Sequence, residues 1–493
     1  MANWDFLSMV ELFSKSGSKD QLLEGKWGLE KESLRITPTG DLALTPHPTA
    51  FGDKITNQHV TVDFSESQVE LITPAFHTIE ETYRFLTDLH NSASRTLDSE
   101  LFWPLSMPGL LPSDELIPIA SYSDSPEGKD KEIYRSGLAL RYGKRMQMIS
   151  GIHYNFSFGS TFLETLYDRY GKAVSIRQFN DEVYLNLVKN FLGYRWLMIY
   201  LFGASPMGTD EYMSAFLKRN AMMCDKAGCR ITFKDPVKHA TSLRMSRFGY
   251  ENSFQNQLNI SYNSLQTYIS QLREALSTKV DAYSRLGVYQ QGKQVQLNDN
   301  LLQIENEYYA PVRFKQVADK GQIMLDALEI KGIDYVEIRT FDLDPYEAPG
   351  ISLNQLYFTH VFLLFCVFEG CCELSSKDMA RFNDNAQLTA LYGRNEKLKL
   401  HNRLNKKTTI QNWGEELFAK LFEIAAMLDE AAGKESYTDS VETQYSKLKD
   451  LNRLPSSRIV ADIDSGDHNH ETFGLKWAKQ HYKLQPTTAM MAS

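Results

Sequence analysis

Cysteine is scarce in this chain, with five among 493 residues. So few cannot form a disulfide framework over that length, and the odd count leaves at least one thiol free or paired with another molecule. Cys224 and Cys229 flank four residues, yet no second pair follows at structural zinc spacing, so a zinc module is not indicated. Pairing among Cys224, Cys229, Cys366, Cys371 and Cys372 stays open. Long apolar runs are missing as well. The most apolar stretch, Val361 to Phe368, falls far short of the ~20 residues that cross a bilayer and predicts a buried helix. The start, Met1 to Asp5, has neither the basic segment nor the apolar core of a signal peptide, and Asp5 and Glu11 disfavour a transit peptide, so a cytoplasmic protein is expected. No stripe of Lys and Arg is present, and the net charge is −9, which disfavours nucleic acid and anionic membranes as partners. Neither G-x-x-x-x-G-K-[ST] nor a strand-placed G-x-G-x-x-G occurs, so a nucleotide would not be held by a P-loop or a Rossmann turn.

What is present is an ordinary globular composition, 42% hydrophobic and 23% charged, which predicts a packed fold. Helices are predicted over residues 5 to 16, after Thr78-Ile79-Glu80-Glu81, over 181 to 201 and over 415 to 432. Strands are predicted from about Lys26, at 68 to 73, from Met146 to Phe158 and from Tyr335 to Phe341. Tyr122 to Asp130 reads as a mobile loop that could serve as a lid before Tyr134, and Met207 to Lys238 as an irregular insertion. Strands this far apart with helices between them predict an α+β class with a mainly antiparallel sheet. One catalytic unit over residues 1–493 is expected, its part from about 354 to 493 mainly helical.

Three of the strands carry chemistry at every second residue: Glu30 and Glu32, His153 and Asn155, Glu337 and Arg339. Residues i and i+2 share a strand face. Two carboxylates 4 Å apart at an effective dielectric of 20 repel by about 4 kcal/mol, so such a pair is protonated, splayed into water or bridged by a cation. Glu70 lies on the face opposite Val69 and Leu71, and Asp63 precedes it in a turn. Each acid taken alone reads as surface charge. As a set, joined by Gly, Asn, Gln and a single His, they suit a hard cation. Arg339 beside them suits phosphate. Glu30, Glu32, Asp63, Glu70 and Glu337 could not share a pocket with a nucleotide without two or three divalent cations. A second group is basic and aromatic, with Tyr134, Arg135, Arg244, Tyr250, Tyr309 and Arg313, and an arginine fork suits an amino-acid carboxylate. The residues alone leave three classes open: an amide-forming ligase, a phosphotransferase on the same metal-lined sheet, and a metal-binding protein without catalysis.

The stretches Gly28-Leu29-Glu30-Lys31-Glu32-Ser33-Leu34-Arg35, Asp63-Phe64-Ser65-Glu66, Glu70-Leu71-Ile72-Thr73-Pro74, Trp103-Pro104-Leu105-Ser106-Met107-Pro108, Ile149-Ser150-Gly151-Ile152-His153-Tyr154-Asn155-Phe156-Ser157, Tyr200 to Pro206, Gln303-Ile304-Glu305-Asn306-Glu307 and Glu337-Ile338-Arg339 occur in one order. Together they resemble the proteobacterial type of glutamate-cysteine ligase. The likeness runs from about Gly25 to Pro349 and thins in the C-terminal part, where Ser457-Arg458-Ile459 is the best remnant. It implies a glutamine synthetase-like curved sheet forming a funnel, and a reaction in which ATP phosphorylates the γ-carboxylate of L-glutamate before the amine of L-cysteine attacks. It implies Glu30, Glu32, Asp63, Glu70, His153 and Glu337 as ligands to two or three magnesium ions, replaceable by manganese. Arg135 and Arg339 would meet the phosphoryl group and Arg244 glutamate. Phe64, Tyr134, Gln147, Tyr250 and Tyr309 would form the cysteine pocket, with Ile149 among the substrate contacts. A monomer is expected, with feedback inhibition by glutathione a regulation to look for. Arg247-Phe248 departs from the acid and leucine expected before Gly249-Tyr250.

Overall fold

A computed structural model describes residues 4–15, 17–214, 238–249, 258, 260–466 and 468–483. Its centre is a seven-stranded sheet in the order β2-β3-β1-β5-β9-β8, with β4 on β1. The strands are β1 (Gly25–Ile36), β2 (Val60–Val62), β3 (Gln68–Ile72), β4 (Leu101–Phe102), β5 (Ile152–Phe158), β8 (Val312–Lys315) and β9 (Tyr335–Phe341). The short hairpin β6 (Tyr289–Gln290) and β7 (Lys293–Gln294) stands apart. Every pairing in the large sheet is antiparallel.

The period of two decides what each face carries. On β1, Trp27 and Leu29 turn to the core, and Glu30 and Glu32 to the other side. The core side is an aromatic layer: Trp27 packs on Phe156 and on His360, with ring centroids 5.6 and 5.1 Å apart. Helix Leu353–Phe368 lies behind it, almost wholly buried, as its apolar run predicts. Beside it runs the 27-residue helix Ile176–Phe202, buried on all sides from Val183 onward, whose Phe202 meets both Phe341 and Phe358. Lys31, between the two glutamates, also faces inward. Its Nζ meets His90 Nδ1 at 3.0 Å and the Ala348 carbonyl at 3.0 Å, and burial lowers its pKa to about 7.

Two elements differ from the sequence expectation. Ser125 caps the Gly128 amide and Pro126 occupies the first turn of a helix, Pro126–Tyr142, so Asp130, Tyr134 and Arg135 stand on a helix and not behind a long loop. The strand expected from Met146 starts only at Ile152. Gly143 takes a φ of +83°, a short helix Lys144–Gln147 follows, and Met146, Met148 and Ile149 are buried from a turn, which imitates strand alternation. The first helix is Phe6–Phe13, capped by Asp5. Residues 215–237 of the expected insertion, with Cys224 and Cys229, lie outside the described residues, as does Tyr250.

Beyond residue 354 the described chain is helical apart from the hairpin β10 (Lys399–His401) and β11 (Lys407–Thr409). The last helix, His470–Lys483, returns to the N-terminal half: Gly474 lies flat on Trp103, where a Cβ would come within 2.1 Å of the indole. His470 Nε2 lies 3.1 Å from the Pro108 carbonyl. No helix among the described residues is long and apolar enough to cross a membrane.

Candidate active site

Strand register, more than sequence proximity, assembles the polar face. Glu30 stands opposite His153, Glu32 opposite Glu70, Asn155 opposite Glu337, and Glu337 opposite Arg313. His153 is the hub. Its Nδ1 lies 3.0 Å from Glu30 Oε2 and 3.6 Å from Glu337 Oε1, and its Nε2 lies 3.5 Å from Glu32 Oε1. One ligand atom from each of Glu30, His153 and Glu337 lies within 4.8 Å of the others. Asn155 Nδ2 donates to Glu30 Oε1 at 2.8 Å, and the Gly151 amide donates to Glu32 Oε2 at 2.9 Å, which fixes both carboxylates.

The electrostatics divide this wall in two. Burial raises Glu70 well above the ordinary carboxylate range, and the charges of Glu30, Asp63 and Glu32 raise it further. Burial also raises Glu32, with Asp63 adding to the effect and His153 opposing it. Burial would raise Glu337 too, but Lys315, Arg339 and Arg313 outweigh it and hold that carboxyl well below the usual range. For Glu30 burial is the largest influence and acts upward, but the hydrogen bond and charge of His153 with the charge of Lys315 together outweigh it, and the shift is downward. The Asp63, Glu32, Glu70 side is thus short of positive charge, and a proton or a cation must supply it.

Arg244 closes one end. Its guanidinium packs on Gly151, where a Cβ would come within 2.2 Å of Nη2, so only glycine admits it. Nη2 donates to the Arg339 carbonyl at 3.1 Å, and Nη1 lies 3.9 Å from Asp342 Oδ1. Asp342 is itself held by the Ala204 amide and the hydroxyls of Ser205 and Ser242. Arg339 Nη1 donates to Glu337 Oε1 at 3.2 Å. Arg244, Arg339 and Tyr309 line a cavity of about 550 Å³, together with Arg195 and Gln387. That volume suits a small molecule.

The aromatic residues gather nearby. Phe64 is buried in a cluster against which Tyr134 and Tyr309 pack, and Gln147 Nε2 lies 3.1 Å from the Tyr309 hydroxyl. Ile149 is fully buried, and its carbonyl accepts from Gln68 Nε2 at 3.1 Å. Burial raises the Tyr134 and Tyr309 phenols, and Glu307 adds to both, so they stay protonated donors. Arg135 Nε donates to the Asp63 carbonyl and Nη2 to that of Val62 at 3.4 Å, which ties the turn bearing Asp63 to helix Pro126–Tyr142.

A family model described as glutamate-cysteine ligase matches residues 10–389. The chain belongs to the glutamate-cysteine ligase family. A glutamate-cysteine ligase of Clostridium acetobutylicum is 44% identical over 481 residues, covering 97% of this chain and all of the relative. The crystal structure of a Francisella tularensis glutamate-cysteine ligase in complex with AMP superposes with a TM-score of 0.83 at 33% identity, covering 94% of this chain and 89% of that one. A bifunctional glutathione synthetase from Pasteurella multocida superposes with a TM-score of 0.75 at 28% identity, covering 98% of this chain and 55% of that one. The glutamine synthetase-like α+β class expected from the sequence is the class of this glutamate-cysteine ligase.

Sequence reasoning missed three groups in this ligase. Lys315, whose Nζ lies 3.3 Å from Glu337 Oε2, was signalled by the alternation Val312-Arg313-Phe314-Lys315. Asp342 beneath Arg244 carried no signal, because its partners come from two distant segments, Ala204-Ser205 and Ser242 to Arg244. The fully buried pair Arg141 and Glu307, 3.1 Å apart, lies partly in the quoted Gln303-to-Glu307 stretch, yet its partner is a helix 166 residues earlier.

Proposed function

We propose that the polar face of the sheet is the catalytic centre of this glutamate-cysteine ligase. The reaction is the ATP-dependent joining of the L-glutamate γ-carboxylate to the L-cysteine amine, giving γ-glutamylcysteine, ADP and phosphate, the first step of glutathione synthesis. The observation that carries the assignment is the convergence of Glu30 and Glu337 on His153, with Arg339 bonded to Glu337. Carboxylate oxygens with one imidazole are a donor set suited to magnesium, or to manganese in its place. The set also leaves His153 Nε2 buried and without a hydrogen-bond partner among the described residues, 3.5 Å from Glu32. Glu30, Glu32, Asp63, Glu70, His153 and Glu337 would hold two or three such ions, which when bound would neutralise the nucleotide phosphates and polarise the transferred phosphoryl group.

The chain's own residues do the rest. An amine cannot displace oxide from a carboxylate, so the γ-carboxylate is first converted to an acyl phosphate. Arg339, and Arg135 once freed from the Asp63 carbonyl, meet the phosphoryl oxygens. Arg244, held by Asp342, takes the glutamate α-carboxylate. Phe64, Tyr134, Gln147 and Tyr309 would enclose cysteine, with Tyr250, outside the described residues, expected among them and Ile149 among the substrate contacts, and the buried cluster shields the acyl phosphate from water. Glutathione carries the same γ-glutamyl-cysteinyl unit as the product and would compete for this site. Residues 1–493 would act as one catalytic unit, working as a monomer. Three reduced cysteines, Cys366, Cys371 and Cys372, and a need for ATP suit the cytoplasm.

The test is incubation with magnesium, ATP and glutamate, adding cysteine or alanine in turn, with products identified by mass. γ-Glutamylcysteine formed with stoichiometric ADP is expected. Phosphorylated product without an amine would mark a phosphotransferase, and absence of γ-glutamyl product with every amine would overturn the reading.

A further inference from the structure

Strand β8 brings two cations to the face that the acids share. Arg313 and Lys315 lie on one side of the strand, and Arg313 stands opposite Glu337. Arg313 is fixed by backbone: Nη2 donates to the Asn306 and Tyr308 carbonyls at 2.7 and 2.5 Å and Nε to Tyr308 at 3.2 Å, while Nη1 lies 3.7 Å from Glu337 Oε2. Lys315 is placed differently. Its Nζ lies 3.3 Å from Glu337 Oε2, and its charge also favours the ionised form of Glu30. The ammonium therefore sits beside one of the two carboxylates that converge with His153 and acts on the other through its charge. Its side chain is 15% exposed and carries no backbone hydrogen bond among the described residues, so its flexible four-carbon stem is less fixed than Arg313.

We propose that Lys315 is a placeholder cation: it pairs with Glu337 while the acid cluster holds no metal, competes with a divalent cation for that carboxylate, and transfers to nucleotide phosphate when metal and nucleotide enter together. The inference rests on Glu30, His153 and Glu337 being metal ligands. The buried Glu337 keeps Arg339 and Arg313 beside it in every state, so Lys315 is the one of its three cations that can leave without uncovering the carboxylate. A divalent cation and an ammonium on the same carboxylate repel each other. The nucleotide, with several negative charges, relieves that conflict by giving the ammonium a new partner. The consequence is coupling: the site binds metal weakly alone and well with nucleotide, so the acids do not collect cations that arrive without substrate.

Manganese binding, read as the loss of the free-ion signal in electron paramagnetic resonance, tests this without turnover. In the absence of nucleotide, Lys315→Met and Lys315→Gln are expected to bind manganese roughly tenfold more tightly than the unmodified enzyme, and Lys315→Arg to stay close to it. With a non-hydrolysable ATP analogue the gap closes. Two neutral variants keep the test intact if one does not fold. Equal or weaker manganese binding in the neutral variants overturns the placeholder role. A Glu337→Gln enzyme that binds manganese as well as the unmodified one, with or without nucleotide, overturns the ligand set itself.

Discussion

Glu70 and Glu337 show how one type of side chain takes opposite roles in one cluster. Glu337 is ionised against three cations, whereas Glu70 is buried among acids and is raised well above the ordinary range. Glu337→Gln removes the charge and keeps the shape, so kcat for γ-glutamylcysteine formation is expected to fall at least ~100-fold while the circular dichroism spectrum stays unchanged. Full activity would remove Glu337 from the site. At Gly151 the expected effect is confined to one substrate. A methyl group in Gly151→Ala would displace the Arg244 guanidinium, 2.2 Å away, with little cost to the fold because the far end of a long side chain can yield. The KM for glutamate is expected to rise roughly tenfold and the KM for ATP to change little, as read in steady-state kinetics with each substrate varied.

At the scale of elements, the buried pair Arg141 and Glu307 joins helix Pro126–Tyr142, which carries Tyr134 and Arg135, to the segment that carries Tyr309. Glu307 also accepts from the Tyr142 hydroxyl at 2.5 Å and the Gln303 amide at 2.7 Å. Glu307→Ala leaves a guanidinium buried without its counter-charge and is expected to cost about 3–5 kcal/mol in urea unfolding. Arg141→Met combined with Glu307→Leu is expected to recover much of that loss, and cysteine affinity is expected to stay weakened. Such links explain what was legible in the sequence. The alternation of Tyr335 to Phe341 and the apolar run at 361 to 368 are local, and both gave the observed elements. Glu30, Glu32, His153, Glu337 and Arg339 were legible because a strand's period places their side chains without knowledge of partners. The helix at Pro126 was missed because charge and serine were weighed above the Ser125-Pro126 start signal. The alternation at Lys315 is a weak signal by itself because β8 is four residues long and gives only two turns of the period. Asp342 and Arg141 were missed because their roles depend wholly on distant partners.

At the scale of the whole molecule, the C-terminal helix is held by histidines that are neutral in the fold. Burial lowers His470 and His481 to about 4, while their Nε2 atoms rest against the carbonyls of Pro108 and Pro345. The unfolded chain takes up protons below about pH 6.5 and the folded one only below about 4, so this stability is complete above 6.5 and is lost as the pH falls through that window. For His470 alone the loss between about pH 7.5 and about pH 5 is about 2 kcal/mol. Urea unfolding across that range is expected to show the slope, and His470→Asn to lessen it by about that 2 kcal/mol, because burial also holds His47, His90, His360 and His481 neutral.

The strand order also sets a timetable. β1 is made early, yet it pairs with β5, and β5 with β9, so the acids at residues 30 and 337 meet only after most of the chain has been synthesised. Contacts this distant in sequence form slowly. The cluster therefore assembles in two stages: Glu30, Glu32, Glu70 and His153 can meet once β1, β3 and β5 are made, and Glu337 joins only with β9. Repulsion among the first acids precedes β9, whereas the last acid arrives with Arg339 bonded to it and stands opposite Arg313. A chain cut short before residue 335 would lack both the last acid and that arginine, and so would be inert rather than half-active.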